Sequence, residues 1–218
     1  MKTKNFKIFL VLILLFLPAC SFTSHETANF RTQKGIASWY GKKFHGKLTA
    51  SGEVYNMYAM TAAHKRLPLG TIVKVRNLDN DREIKVTIND RGPFVRGRII
   101  DLSYTAAKRI GIVETGTARV RIKTLGRDEK YVHYIRVDES GTGRNFTVQL
   151  GAFTDRDNAE RLKAAIGLER SDAYIMKVAI TGRTFYRVRV GKFSSKEKAI
   201  KAAKNLAYEG FEAVVMRR

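Results

Sequence analysis

The chain of 218 residues holds one cysteine, Cys20. A single thiol excludes an internal disulfide and any paired-cysteine zinc or redox site, so the fold must stand on its hydrophobic core. Histidine is also sparse: His25, His45, His64 and His133 are the whole set. A two-histidine, one-carboxylate centre would need His64 and a second histidine in a fitting context, and none is offered, so neither a metal nor another cofactor is expected. Acidic residues are outnumbered, with 20 Asp+Glu against 41 Lys+Arg and a net charge of +21. Long apolar runs are missing except for Ile8–Leu17, ten residues reading IFLVLILLFL. A helix of that length spans about 15 Å, roughly half a hydrocarbon core, which suits a secretory signal better than a membrane span.

What surrounds that run strengthens the reading. Lys2, Lys4 and Lys7 precede it, and Leu17-Pro18-Ala19-Cys20 ends it. Small residues before a cysteine give a signal peptidase access to the backbone. The segment resembles the lipobox of bacterial lipoproteins, which implies that Cys20 is acylated and becomes the first of 199 mature residues. Ser21 follows it where inner-membrane lipoproteins commonly carry aspartate, so the expected anchor is the periplasmic face of the outer membrane. Residues 21–33 are polar and aperiodic and read as a tether. At full extension it reaches roughly 40 Å.

The positive charge is spread through the mature chain. Residues 34–124 carry 18 Lys+Arg against 7 Asp+Glu, residues 144–218 carry 16 against 8, and the stretch between is near neutral. Such a balance favours anionic surfaces. Export makes nucleic acid a poor partner and leaves lipid headgroups and an acidic wall polymer.

Two folded units are expected. In residues 34–124, Ile72, Val73 and Val75, then Ile84, Val86 and Ile88, alternate as strands joined by a turn at Asn77–Asp81. Gly35–Gly41, Ile99–Leu102 and Thr117–Lys123 add further strands, and Ser103 caps a short helix stopped by Gly111. Many short strands with one helix predict a mainly β unit, a small barrel. Residues 125–143 read as a connector with a candidate strand at Tyr131–Val137. Residues 144–218 contain an echo: FTVQLGAF at Phe146–Phe153 returns as YRVRVGKF at Tyr186–Phe193, 40 residues on, and each copy precedes a helix. The order β-α-β-β-α-β predicts a four-stranded ferredoxin-like α+β sheet with both helices on one face and the other face free.

Polar residues cluster in Thr49–Glu53, Thr61–Lys65, Asn89–Phe94 and Gly97–Ser103. Asp90 stands where a strand gives way to a Gly-Pro corner, a place where shielding from water can raise a carboxyl pKa; the alternative for an Asp-Arg-Gly run is a turn salt bridge. Asp101 and Arg91 are candidates for a buried pair. The runs GIASWYG, FHGKLTASGEVYN, MTAAHKRLPLGTIVKV, INDRGPF and GRIIDLS, in this order across residues 35–123, resemble the RlpA (rare lipoprotein A) family. The C-terminal echo resembles a SPOR domain.

The resemblance implies a six-stranded double-psi β-barrel followed by a SPOR domain. It implies a lytic transglycosylase that cuts the β-1,4 bond between N-acetylmuramic acid and N-acetylglucosamine in strands lacking stem peptides, leaving a 1,6-anhydro end, in septal wall separation. Septal enrichment and divisome proteins as partners belong to the same implication. The family's acid falls on Asp90, its glutamate on Glu53 and its histidine on His64. Glu53 has two roles open to it, raising the Asp90 pKa as a neighbouring like charge or orienting substrate, and His64 could bond either carboxylate or a sugar hydroxyl. Tyr40 and Phe94, with Trp39 and Phe44, are candidates to stack on pyranose rings. Gln149, Arg187 and Arg189 are the expected glycan contacts on the free sheet face. A non-catalytic septal wall-binding lipoprotein is the alternative, since a similar barrel in expansins loosens polysaccharide without lytic cleavage.

The anchor is directly testable. Metabolic labelling with a clickable fatty acid is expected to mark the wild-type chain and to leave a Cys20→Ala variant unmarked; equal labelling of both would remove the lipobox reading.

Overall fold

The computed structural model describes residues 32–168 and 170–218; the signal segment, Cys20 and residues 21–31 of the expected tether lie outside them. Six strands close into a barrel: β1 (Thr32–Trp39), β2 (Thr61–His64), β3 (Thr71–Asn77), β4 (Glu83–Asp90), β5 (Arg98–Leu102) and β6 (Thr117–Arg127), in the order β1-β5-β2-β4-β3-β6. The β1–β5 and β2–β4 pairs are parallel and the other four antiparallel. Thr32 and Gln33, expected in the tether, pair with Lys123 and Ile122 and belong to the barrel.

Alternation explains the core. Val73, Val75, Ile84, Val86 and Ile88 turn inward with Ile100, Leu102, Val120 and Ile122, all buried. Each such side chain contributes about 1.5–3 kcal/mol by leaving water. The β3–β4 hairpin ends at the Arg76–Glu83 pair, and the Arg76 guanidinium grips Asp81 at 2.8 Å across the turn. The side-chain amides of Asn77 and Asn80 both donate to the Ile110 carbonyl, tying the turn to the end of α1 (Tyr104–Arg109). Ser103 caps that helix by accepting from the Ala106 N–H, as its sequence predicts.

The second unit comprises β7 (Arg136–Asp138), β8 (Phe146–Phe153), α2 (Arg156–Gly167), β9 (Ala173–Ile180), β10 (Arg183–Phe193), α3 (Lys196–Tyr208) and β11 (Val214–Arg217). Its sheet has five strands, β7-β11-β8-β10-β9, where four were expected. The extra member is the short β7, added in parallel to β11. The strand anticipated at Tyr131–Val137 is shortened because Tyr131 is buried in a single tight turn capped by Asp128. Both helices pack on one face, where Val148, Leu150, Val188, Val190 and Val215 meet Ala159, Leu162, Ala203 and Leu206.

The two echo copies are sheet neighbours, with Arg189 opposite Gln149 and Val190 opposite Val148. Their shared glycine has a steric cause: a Cβ at Gly151 would meet the Phe153 ring at 2.7 Å, and one at Gly191 would meet the Phe193 ring at 2.4 Å. Each phenylalanine packs against the helix-side core, and only glycine leaves room for its ring.

The two units touch. The Leu69 N–H donates to the Glu209 carbonyl at 2.9 Å, the Arg91 guanidinium stacks over Phe211, and Arg127 stacks over Tyr208. Ala50, Leu69 and Tyr131 join the apolar cluster of the second unit.

Gly191 adopts φ +71 while Gly151 has no positive φ, so alanine meets backbone strain plus a clash at the first position and the clash alone at the second. Gly191→Ala is expected to cost about 2–4 kcal/mol and Gly151→Ala about 1–2 kcal/mol, read by urea unfolding of the full mature chain. Equal losses would contradict the assignment of strain to Gly191.

Candidate active site

Asp90 ends β4 and faces a cavity of about 270 Å³. Three donors hold its carboxylate. The N–H groups of Ala50 and Arg91 both reach Oδ1 at 2.8 Å, and the Tyr40 hydroxyl donates to Oδ2 at 3.0 Å. Burial raises the Asp90 proton affinity. The amides of Ala50 and Arg91, the Tyr40 hydroxyl and the Arg91 charge oppose it, and burial wins. Tyr40 stays a donor throughout, because burial and then the Asp90 charge push its phenol well above the usual value. Its ring leans on Tyr55 and Phe44, with centroids 5.0 and 5.6 Å away. Phe94 lines the same cavity and is 62% exposed, available for stacking on a planar sugar face.

Glu53 lies in the adjoining loop and does not bond Asp90. Its Oε2 accepts from the Asn89 amide at 2.9 Å and the Tyr131 hydroxyl at 2.7 Å, and its Oε1 accepts from Lys130 at 3.1 Å. Burial raises its pKa, but these three donors outweigh burial and hold it below the ordinary value. Glu53 is therefore an ionised fastener. The same loop carries the Ala50 amide that clamps Asp90, and its Ser51 N–H donates to the Asn89 carbonyl. The upward shift at Asp90 comes from burial, and Glu53 is not among its largest causes.

His64 is buried at the end of β2 and opens on a different, larger cavity of about 1220 Å³ beside Gln33, Lys65 and Arg66. Its Nδ1 accepts from the N–H groups of Arg66 and Leu67, so the proton sits on Nε2 and is donated to Gln33 Oε1 at 3.1 Å. It bonds neither carboxylate. Burial, followed by the charges of Arg91, Lys65 and Arg66, lowers its pKa to about 4.

Asp101 is the residue that sequence reasoning misassigned. It pairs with Arg98 at 3.1 Å, three positions away on the same strand. Arg91 instead donates to the carbonyls of Leu67 and Glu209. Burial lifts the Asp101 pKa to about 6 against the Arg98 and Lys65 charges, with Asp90 adding to the rise. Sequence reasoning also missed Lys130 and Tyr131, which sat in a presumed connector, and Arg161 of α2, which lines the Asp90 cavity from the second unit. Gln149 and Arg189 lie on the sheet face opposite the helices, where the Arg189 guanidinium is buried against Gln149 Oε1 at 3.3 Å; Arg187 shares that face, two residues along β10. Among the described residues no group of three His, Cys, Asp or Glu side chains could hold a metal ion.

Folding lowers the His64 pKa from 6.5 to about 4, so the unfolded chain binds that proton more readily. Its contribution to stability is whole above pH 6.5 and is lost as pH falls through 4, on the order of 3 kcal/mol in all. Nitrogen-15 NMR is expected to show the Nε2–H tautomer with no titration near pH 6.5; a ring that charges there would refute the buried, neutral geometry.

Comparison with known proteins matches this architecture. The family described as lytic transglycolase matches residues 32–122, and the SPOR domain family matches residues 142–217. The endolytic peptidoglycan transglycosylase RlpA of Helicobacter pylori (strain J99) is 44% identical over 184 residues, covering 76% of this chain and 58% of that protein. The chain thus spans a little over half the length of that relative. The Campylobacter jejuni protein of the same name is 42% identical over 195 residues, covering 82% of this chain and 70% of the relative. The crystal structure of the RlpA SPOR domain from Pseudomonas aeruginosa is 26% identical, covers 34% of this chain and 99% of that one, and gives a TM-score of 0.29. With a lytic-transglycolase match over the barrel, a SPOR match after it and a relative 42% identical over 70% of its own length, the chain belongs to the RlpA family.

Proposed function

We propose that the protein is a lytic transglycosylase acting on peptide-poor peptidoglycan strands. It cleaves the β-1,4 bond between N-acetylmuramic acid and N-acetylglucosamine and leaves a 1,6-anhydro end. The observation that carries this reading is the Asp90 carboxyl: cavity-facing, fixed by three donors and raised in proton affinity by burial. A glycosidic oxygen leaves poorly unless protonated. Protonated Asp90 gives its proton to that oxygen as the C1–O bond breaks. The resulting carboxylate then takes the proton of the 6-hydroxyl while O6 closes on C1. The proton returns to Asp90, no water is consumed, and one carboxyl serves both steps, where hydrolysis employs two flanking carboxyls.

The remaining residues support that chemistry from behind. Tyr40 and the amides of Ala50 and Arg91 keep the carboxyl aimed, and they favour the ionised state needed in the second step. Glu53 acts as a positioning residue through its hold on Asn89, Tyr131 and Lys130. His64 braces the turn at Arg66 and Leu67 that leads towards Gly70. The SPOR domain's sheet face away from the helices would retain the strand through Gln149 and Arg187, with buried Arg189 holding the Gln149 amide rather than touching glycan, and lipid on Cys20 would hold the protein at the outer membrane, facing the periplasm at the septum.

Amidase-treated peptidoglycan, digested by the mature protein and read by mass spectrometry, is expected to yield anhydro-muropeptides. Asp90→Asn, which keeps the side-chain shape, should cut that yield about 10²–10⁴-fold with an unchanged circular dichroism spectrum. Wild-type yield from this variant would remove Asp90 as the acid. No anhydro product from the wild type, with strand binding intact, would favour a non-catalytic wall-binding protein.

A further inference from the structure

The Asp90 cavity is not made by the barrel alone. Tyr40, Phe44, Tyr55 and Phe94 line it on the barrel side, and Arg161, Ala164 and Ala165 of α2 form part of its wall from the SPOR domain. The helix is held there by its own packing. Leu162, Ala165 and Ile166 enter the second unit's core, which leaves Arg161 and Ala164 on a stripe one residue round the helix.

Four buried side-chain polar atoms among the described residues have no hydrogen-bond partner within the protein: Tyr55 Oη, Arg98 Nε, Asp101 Oδ1 and Arg161 Nε. All four residues line this one cavity. The Tyr104 backbone N–H tempers the Tyr55 hydroxyl without reaching bonding geometry, and burial still pushes that phenol up to about 12. Buried polar groups are costly when unsatisfied, and here they converge where a polar ligand would sit.

The cations of the cavity differ in what already holds them. Arg98 has Asp101, and Arg91 has the Leu67 and Glu209 carbonyls and the Phe211 ring. Lys47 lies over the Phe44 ring. Arg161 has the side-chain oxygen of Asn158, a neutral acceptor, while neighbouring Glu160 pairs with Arg156 and Lys163. A half-buried guanidinium without a carboxylate calls for a ligand that brings negative charge, and its planar fork matches a carboxylate.

We propose that Arg161 of the SPOR domain is an anion-binding residue of the active cavity, pairing with a carboxylate carried by the sugar beside Asp90. This rests on the transglycosylase reading and names the substrate feature recognised. N-acetylmuramic acid bears a lactyl ether at O3. Its carboxylate is free when the stem peptide has been removed and becomes a neutral amide when the peptide is present. A cavity of about 270 Å³ walled by α2 is of the size of one sugar ring. The SPOR domain then does more than retain the strand: it completes the site and selects stripped muramic acid.

The test uses the full mature chain with two probes, amidase-stripped strands and the same strands with their lactyl carboxylates converted to methylamides. On stripped strands Arg161→Gln is expected to raise KM about tenfold with kcat within twofold, and Arg161→Lys to recover part of the loss. Wild type should show a similar KM rise on the methylamide strands, where Arg161→Gln should add nothing further. A KM unchanged by Arg161→Gln on stripped strands overturns the proposal, as does a faster Arg161→Gln enzyme, which would make α2 a cap. Binding keeps the two readings separable. Should wild type release no anhydro ends, a tenfold Kd difference between Asp90→Asn and Asp90→Asn/Arg161→Gln, seen with a stripped tetrasaccharide and absent with its methylamide, upholds the subsite without the chemistry. Equal Kd values overturn the subsite.

Discussion

The site depends on keeping one carboxyl, Asp90, out of bulk water without letting it find a full counter-charge. Burial alone would make its ionised form costly and leave it mobile between rotamers. Two backbone amides and one phenol prevent the movement, since each has a fixed origin: Ala50 in the loop after β1, Arg91 next in chain, Tyr40 at the end of β1. None of them carries formal charge. They lower the proton affinity partway, and burial retains the upper hand. A guanidinium bonded directly to Asp90 would reverse that balance. Arg91, the nearest candidate in sequence, is drawn instead to the Leu67 and Glu209 carbonyls and the Phe211 ring.

That diversion of Arg91 links the chemistry to the assembly of the two units. The guanidinium that leaves Asp90 unpaired also fastens the barrel to the second unit, beside the Leu69–Glu209 hydrogen bond. Glu53 works in the same sense from the other side of Asp90. Its carboxylate gathers Asn89 from β4, and Lys130 and Tyr131 from the segment that follows the barrel. Tyr131 in turn packs with Leu69 and Ala50 in the second unit's apolar cluster. The loop that supplies the Ala50 amide is therefore pinned by groups that exist only when the chain beyond β6 has folded against the barrel.

Short-range pattern made much of this legible. Alternation marked β3 and β4 because their central inward positions, Val73, Val75, Ile84, Val86 and Ile88, are apolar, and the Ser103 cap and Gly111 stop marked α1. The strand echo was visible as repeated letters, and its cause is the room each glycine leaves for the phenylalanine two residues on. Asp90 at its Gly-Pro corner was a candidate with a turn salt bridge as the alternative, and it was the family resemblance that made it the acid. Pairings across the fold were not legible. Asp101 was assigned to Arg91 by charge, but Arg98 reaches it from three residues away on β5, where the register against β1 slips by one residue between Arg98 and Ile100 and breaks the alternation that would otherwise set the two side chains on opposite faces. His64 and Glu53 share the family's motif order with Asp90, yet β2 turns the imidazole into another cavity and Lys130 and Tyr131 claim the glutamate. Tyr131 read as strand because its neighbours alternate; burial in the interface prevails over that weak local preference. The contribution of α2 to the cavity depends on interdomain packing, for which residue order holds no local signal.

The charge excess of +21 then separates into two kinds of cation. Among the described residues most are exposed, and in saline their pull fades beyond about 8 Å, so they can attract an anionic polymer without distinguishing one sugar from the next. Arg161 and Arg98 differ in standing at the Asp90 cavity, partly buried, each with an Nε that has no hydrogen-bond partner within the protein. A partly desolvated guanidinium is less screened and more demanding about geometry, and so it can discriminate a free carboxylate from an amide at the same atom position. Arg98 has Asp101 to satisfy that demand, and Arg161 has only a neutral amide oxygen. On the same physical grounds, attraction to the wall should weaken steeply with salt, whereas recognition beside Asp90 should weaken far less. On the proposed reading, general attraction and specific recognition fall to different residues, and burial is what assigns them.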